Sequence, residues 1–546
     1  MNGWLSHFPI LPIVLPMAAG AIMLFLGDNR RPERALIAVL SAVAQVAVAL
    51  VLLAAAGGAL PERWPDGIAV YLLGNWRAPF GIVLVVDRLT AIMLALNAAL
   101  GLASLLYSMS RWDRRGAHFQ PLFQFLMMGV NGAFLTGDLF NLFVFFEVLL
   151  AASYGLLLHG SGAPRIQAAL HYIAVNLAAS FLFLLGAALI YGVTGTLNMA
   201  DLAARLPGLA RGDRVLFEAG AVLLGLAFLV KAGAWPLNFW LPTAYASAGA
   251  PIAAMFSIMT KVGVYAMLRV GSLLAEADTP FLFRSEWLAG IGLATLALGS
   301  LGMLAAQQSQ RLVAYAVIVS AGTLLAAFGV GGAAVTGMGL FYLVSSVLAT
   351  GAFFMLCELM ERSRRFGASV LAVTLDSFGV DEPLDPERPD EVVGVVIPAG
   401  MAFLGLGFIS CALVVAGLPP LSGFVGKFGM LAAALDSTRA GTPPAAAWAL
   451  MAALLGSGLA GTIALSRMGT RIFWNPNERL EPRPRITEAG AIAGLLLLIF
   501  AMALGAGPVA DYMLAASQAL YTPQDYIDAV LSAGTARAGG TAGGGS

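Results

Sequence analysis

The sequence predicts an all-α polytopic membrane protein of about fourteen transmembrane helices, built as two inverted five-helix repeats that each contain a broken helix. Three observations carry this. Of 546 residues, 59% are hydrophobic and 11% charged, where a soluble domain carries about 25% charged residues. Apolar runs of about 18 residues or more, each long enough to cross a bilayer, recur from end to end. Two of these runs are interrupted by Gly and Pro at membrane depth. The composition alone excludes a soluble enzyme, a nucleic-acid binder and a disordered protein.

The spans, in order, are 8–27, 35–57 and 84–108, then 119–136, 138–158, 166–193, 215–236 and 248–274. They continue through 285–306, 311–331, 337–360, 396–436 and 445–468, and end at 487–507. The chain thus divides into an N-terminal group (1–118), a first repeat (119–274), a second repeat (285–468) and a last helix with its tail (469–546). The first run lacks a basic leader and reads as a retained helix. Residues 197–214 read as a short interfacial helix on the outer face. The acidic, Pro-rich stretch 376–391 reads as a solvated connector, and the Gly-rich tail from 534 as low-complexity.

Stretch 396–436 needs arbitration, because one straight helix of that length would run about 60 Å, twice the hydrocarbon core. Arginine placement decides it. Clusters at 30–34, 111–115, 362–388 and 467–485, with Arg165 and Arg311, fall on one side of the spans. That side is cytoplasmic by the positive-inside rule. Clusters 362–388 and 467–485 must then be separated by an even number of crossings, so 396–436 counts as one broken span. Both termini are expected outside the cell (inner) membrane.

Net charge is zero, and the two cysteines, Cys357 and Cys411, lie in apolar runs with neither disulfide nor metal-ligand spacing. They read as packing residues. No cofactor and no metal is expected. GFVGKF superficially resembles a phosphate loop, but Leu421 and Phe428 occupy positions that need Gly and Ser/Thr, so a nucleotide site is rejected.

The chemistry lies with the buried charges. The chain has three lysines, Lys231, Lys261 and Lys427, and each falls inside a span. A lysine at mid-bilayer costs about 2.5–3.5 kcal/mol on insertion scales, and such residues mark ion or proton paths. Arginine, used at every basic loop position, holds its proton at any accessible pH, whereas a lysine can exchange one when buried. Glu147, among aromatic residues in 138–158, needs either a proton or a cationic partner, and Lys231 is the preferred one. Separating that pair would release a proton from the lysine. The competing readings are snorkelling or fixed structural ion pairs. Asp138 reads as an entrance or capping residue, and His171 as a possible proton carrier or a satisfied histidine. His7, His118 and His159 read as surface groups.

Pro236 and Pro242 interrupt one span, and Pro419 and Pro420 another. Broken backbone at this depth survives only inside protein or against a wet cavity, and paired broken helices point to a transport site. The broken helix is fourth in each five-helix set. Lys231 precedes its prolines and Lys427 follows its own, the mirrored order expected of inverted repeats.

These residues carry a resemblance. FFEVLLAASYGLL around Glu147, LVKAGAWPLNFWLPTAYASAGAPIAA around Lys231 and AGLPPLSGFVGKF around Lys427 resemble the antiporter-like subunits shared by respiratory complex I and the Mrp-type multisubunit cation/proton antiporters. TGDLFNLFVFFEVLLAASYGL and IYGVTGTLNMADLA look like the D-type subunits of the Mrp (Pha) antiporters. The resemblance covers roughly residues 70–475. It implies two inverted repeats and a Glu147–Lys231 pair that gates protons. It also implies Lys261 as central relay and Lys427 as terminal group. Function would come only in a complex with other membrane subunits in the bilayer, exchanging Na⁺ or K⁺ for protons. Relatives in complex I often place histidines in the eleventh helix. FYLVSSVLATGAFF has none, so Ser345, Ser346 and waters would have to bridge. The alternatives are a proton-pumping subunit of complex I or of a membrane-bound hydrogenase, and a scaffold whose charges only fix packing.

Overall fold

The computed structural model describes residues 4–27, 29–60, 64–116, 118–275, 283, 285–378, 398–439, 444–474 and 484–534. Residues 379–391 of the acidic connector and the tail beyond 534 lie outside the described residues. Three helices come first: α1 (Leu11–Phe25), α2 (Arg31–Ala54) and α3 (Arg88–Ser108). An antiparallel hairpin, β1 (Ala69–Leu72) with β2 (Val83–Val86), precedes α3 and has no counterpart in the sequence reading. The four residues Val83–Val86 are buried strand, so the third span begins later than residue 84. Asp87 caps α3, accepting from the Thr90 amide at 2.9 Å.

The first five-helix set comprises α4 (Phe119–Leu135), α5 (Leu139–Leu158), α6 (Ala163–Thr194), the broken pair α8 (Arg211–Ala232) and α9 (Leu241–Ser247), and α10 (Ala250–Leu274). A short α7 (Met199–Arg205) lies between α6 and α8, where the interfacial helix is expected. The second set comprises α11 (Ser285–Ala305), α12 (Ser309–Val330), α13 (Ala333–Phe378), the broken pair α14 (Ala399–Ala416) and α15 (Ser422–Arg439), and α16 (Pro444–Phe473). Five crossings per set leave the second starting on the opposite face from the first, which is what inverts the repeat. The chain closes with α17 (Ile486–Leu504), α18 (Ala506–Tyr521) and α19 (Gln524–Ser532).

Among the described residues, thirteen helices are long and apolar enough to cross a membrane. The 17-residue α4 adds a fourteenth, about 26 Å long at the α-helical rise. Side-chain neighbours show that α14 and α15 form one span. Along α13, Tyr342 packs against Gly426, Ser345 bonds Ser422, Phe353 meets Phe408, and Leu356 meets Gly407. The partner numbers fall as the α13 numbers rise, so α14 and α15 run antiparallel to α13 as one interrupted rod. The same logic places the chain that follows the last span. Glu488 at the start of α17 pairs with Arg362, and Tyr521 at the end of α18 bonds Thr336. The last apolar span is Ile486–Leu504, close to the expected 487–507, and α18 continues beyond Gly505 along α13 as far as Tyr521.

Burial places the functional helices at the centre. Helices α10, α12 and the crossing part of α13 are each 94% buried over their apolar windows, while α1, α14 and α17 are 33% buried. Gly263 lets α8 and α10 touch backbone to backbone, since a Cβ there would lie 2.5 Å from the Ala232 nitrogen.

Candidate functional site

All three lysines are buried, with 6% of Lys231, 1% of Lys261 and 6% of Lys427 exposed. Lys231 lies in the last turn of α8. Its ammonium sits 5.2 Å from the centroid of the Phe146 ring and makes no hydrogen bond. Glu147, next to Phe146 on α5, has its Oε1 buried and likewise without a partner. The bonded pair expected from the sequence is therefore open. Phe146, Phe183 and Phe228 meet edge to face around this point, with centroids 5.6–6.2 Å apart. The lysine rests on an aromatic face in place of the carboxylate.

Lys261 lies mid-way along α10, with Nζ 3.5 Å from both the Thr260 hydroxyl and the Val317 carbonyl on α12. These are contacts at the long limit of hydrogen bonding. One turn further along α12, Ser320 and Ser346 of α13 lie 2.9 Å apart. The Tyr342 hydroxyl lies beside Ser320 and Thr323. The Tyr342 ring lies 5.8 Å from the Lys427 ammonium. Ser345 takes a different direction, bonding Ser422 at 2.7 Å, the first residue of α15. Ser346 therefore faces the Lys261 side and Ser345 the helix break.

Lys427 is held firmly. Its Nζ donates to the carbonyls of Val415 and Ala416, both at 3.1 Å. These are orphan acceptors at the C-terminus of α14, the negative end of that half-helix.

The two breaks share one register and most of its residues. Leu229-Val230-Lys231-Ala232-Gly233 ends α8, and Leu413-Val414-Val415-Ala416-Gly417 ends α14. Gly233 and Gly417 have φ of +68° and +79°. Each donates back to the Leu and Val carbonyls of its own last turn. Pro236 and Pro420 follow three residues after the glycine, each after a cis peptide bond. Pro242 does not break a span, since it sits in the first turn of α9. The mirrored lysine order is also corrected. Inversion turns a repeat over in the membrane but leaves chain direction unchanged, so Val415 occupies the register of Lys231, and Lys427 reaches the break from its other side.

The remaining expected residues lie elsewhere. Asp138 caps α5 through the Asn141 amide at 2.9 Å, and burial raises its pKa. His171 is exposed on α6, with Nδ1 3.2 Å from the Gln167 carbonyl of its own helix, so it does not point at the lysines. His159 is buried rather than superficial. Its Nε2 lies 2.8 Å from the Trp112 carbonyl, and burial lowers its pKa. Cys357 and Cys411 are buried and unpaired.

Two features escape the sequence reading. Tyr342, Ser320 and Thr323 lie between the central and terminal lysines. Their signal is hydroxyl spacing of three to four residues along one face of α12 and α13. The second is a buried ion pair joining α3 to α10. Arg269 Nη2 lies 2.8 and 2.7 Å from the two Asp87 oxygens, and its guanidinium stands 5.0 Å from the Tyr526 ring centroid.

Comparison with known proteins bears on all of this. Residues 136–376 match the family described as NADH:quinone oxidoreductase/Mrp antiporter, TM. The D-type subunit of a probable K⁺/H⁺ antiporter of Rhizobium meliloti (strain 1021) is 51% identical over 98% of this chain and 99% of its own length. The D-type subunit of an Na⁺/H⁺ antiporter of Bacillus subtilis (strain 168) is 33% identical over 96% of this chain and all of its own. A chain in the structure of the Mrp complex from Dietzia sp. DQ12-45-1b superposes with a TM-score of 0.77 at 25% identity, covering 96% of this chain and 99% of that one.

Proposed function

The chain belongs to the family of D-type subunits of the Mrp antiporters, and from that premise we propose that it is the proton-translocating subunit of a multisubunit monovalent cation/proton antiporter. Protons pass from Glu147 and Lys231 to Lys261, and from there through the Ser320, Ser346 and Tyr342 hydroxyls to Lys427. Neighbouring membrane subunits complete the exchange of Na⁺ or K⁺. In this reading the Arg-rich loops face the cytoplasm and both termini lie outside the cell membrane. The four domain divisions follow the helix sets, with the two repeats carrying one lysine-bearing break each.

The observation that carries the proposal is the open first pair. A buried ammonium with no hydrogen bond, close to a buried carboxylate oxygen with none, is costly as a permanent arrangement. A site that alternates between closed and open forms accounts for it. In the open form the lysine gives its proton up easily, and in the closed form the carboxylate holds the ammonium. Glu147→Ala and Lys231→Ala are each expected to abolish cation-dependent proton exchange in inverted membrane vesicles. The complex should still assemble by native gel. Full exchange in both variants overturns the proposal.

A further inference from the structure

Two adjoining cavities open at the end of the bundle where α3 finishes and α6, α10 and α12 begin. The smaller, about 530 Å³, carries Arg111, Arg115, Arg165 and Arg362 on its wall, with Glu358 and Glu361. The larger, about 850 Å³, shares Arg165, Gln310 and Glu361 with it and adds Arg467 and Arg471. Positive charge is therefore in excess in both. None of these residues belongs to the lysine file.

The arginines are positioned, not loose. Trp112 is 3% exposed and donates its indole N–H to Glu358 at 2.9 and 3.1 Å. The guanidinium carbons of Arg115 and Arg165 lie 4.3 and 4.9 Å from the Trp112 ring centroid. Arg165 also donates to the Ser247 and His159 carbonyls at 3.0 and 3.1 Å. Arg362 is held by Glu488 through two bonds of 2.7 and 2.8 Å. Among the described residues, Arg111, Arg115 and Arg165 are not within ion-pair distance of any carboxylate. A guanidinium fork left without a carboxylate matches phosphate oxygens. Gln310, shared by both cavities, has a buried side-chain oxygen with no donor.

We propose that this basic pocket binds the phosphoglycerol headgroup of an anionic membrane phospholipid, the arginines taking the phosphodiester and Gln310 a glycerol hydroxyl. The position selects a lipid. The pocket lies where transmembrane helices end, and basic pockets between helices at that level hold anionic headgroups. A bound headgroup ties together the α3–α4 connection, the start of α6 and the far end of the crossing part of α13. Free phosphate shares the phosphate chemistry but lacks the glycerol that would carry a hydroxyl to Gln310 while the arginines hold the phosphate.

The test uses the intact, detergent-purified complex, native mass spectrometry and thermal unfolding. Phosphatidylglycerol is expected to be retained and to raise the Tm, and phosphatidylethanolamine is not. Arg111 and Arg115 are exposed, so R111Q/R115Q should leave assembly intact and weaken phosphatidylglycerol retention about tenfold. Q310L should narrow the preference for phosphatidylglycerol over phosphatidic acid. Equal retention by wild type and R111Q/R115Q overturns the proposal. So does an equal Tm rise from inorganic phosphate alone, which would assign the pocket to a soluble anion.

Discussion

The two helix breaks are built from similar local sequences and the same capping bonds, yet they treat their lysines in opposite ways. At the α8–α9 break the lysine belongs to the half-helix that ends there, and its ammonium lies on Phe146 with no hydrogen bond. At the α14–α15 break a valine occupies that register. The lysine comes from the half-helix that follows and closes onto the Val415 and Ala416 carbonyls. Both lysines are equally buried, so depth in the protein does not separate them. What separates them is the acceptor. A helix C-terminus offers unpaired carbonyls and negative potential to a cation that arrives from outside its own last turn. The first lysine cannot use its own helix this way, which leaves it dependent on a carboxylate. The repeat has thus preserved a backbone device while giving one copy a free ammonium and the other a held one.

The sharpest way to break this comparison is to remove each amine while keeping the chain length. Lys231→Met and Lys427→Met should both reduce cation-dependent proton exchange by more than tenfold. Their stabilities should respond differently. Lys427→Met removes two charge-assisted bonds, worth about 1.5–3 kcal/mol each, and should lower the Tm of the purified complex. Lys231→Met replaces an unbonded buried amine by an apolar chain and should leave the Tm unchanged or raise it. Two equal drops in Tm would show that the ammoniums are held alike and would remove the distinction.

Most of this contrast is not legible in the sequence, and the reason is physical. Composition, run length and arginine placement fix which segments cross, because every buried backbone group in lipid must be satisfied within its own helix. Gly417-Leu418-Pro419-Pro420 and Gly233-Ala234-Trp235-Pro236 mark the breaks, since only certain backbones accept them. Side-chain direction is another matter. Whether Lys427 points at carbonyls or at a carboxylate depends on how α15 is rotated against α14, which no periodicity records. The same holds for His171, whose position on α6 fits a relay until the helix is oriented. It holds also for Asp87 and Arg269, which lie far apart in sequence and meet only through packing of α3 on α10. The β1–β2 hairpin is hidden because its second strand continues directly into an apolar span. Helix α18 is hidden because Gly505 and Pro508 look like an end and form a bend.

A smaller effect follows from the glycines that cap the two breaks. Gly233→Ala and Gly417→Ala each force a side chain into left-handed backbone, at a cost of about 1–2 kcal/mol. The new methyl meets the tip of Leu241 at the first break and the Lys427 side chain at the second. Both variants should lose similar thermal stability. Only Gly417→Ala displaces an ammonium from its carbonyls, so exchange should fall about tenfold there and by less than about threefold in Gly233→Ala. Equal loss of exchange would mean that the Lys427 position does not depend on the carbonyl contacts.

The finest distinction concerns hydroxyls, since each half buries a tyrosine beside a serine. Tyr172 in the first half lies 2.7 Å from the Ser153 hydroxyl and stacks on Phe256, with centroids 5.8 Å apart. Tyr342 in the second half lies beside Ser320 and Thr323 and beneath Lys427. Replacing either by Phe keeps the ring and removes the hydroxyl, costing about 1 kcal/mol of stability where a hydrogen bond is lost. If the hydroxyl of Tyr342 hands protons between Lys261 and Lys427, Tyr342→Phe should slow exchange several-fold at unchanged assembly, and Tyr172→Phe should not. Ser346→Ala should resemble Tyr342→Phe, because Ser346 meets the same Ser320 hydroxyl at 2.9 Å. Equal exchange in all three variants would leave Lys261 and Lys427 with no side-chain link between them. Water would then have to carry the whole step, and the fixed Lys427 would be read as a helix cap first and a proton carrier second.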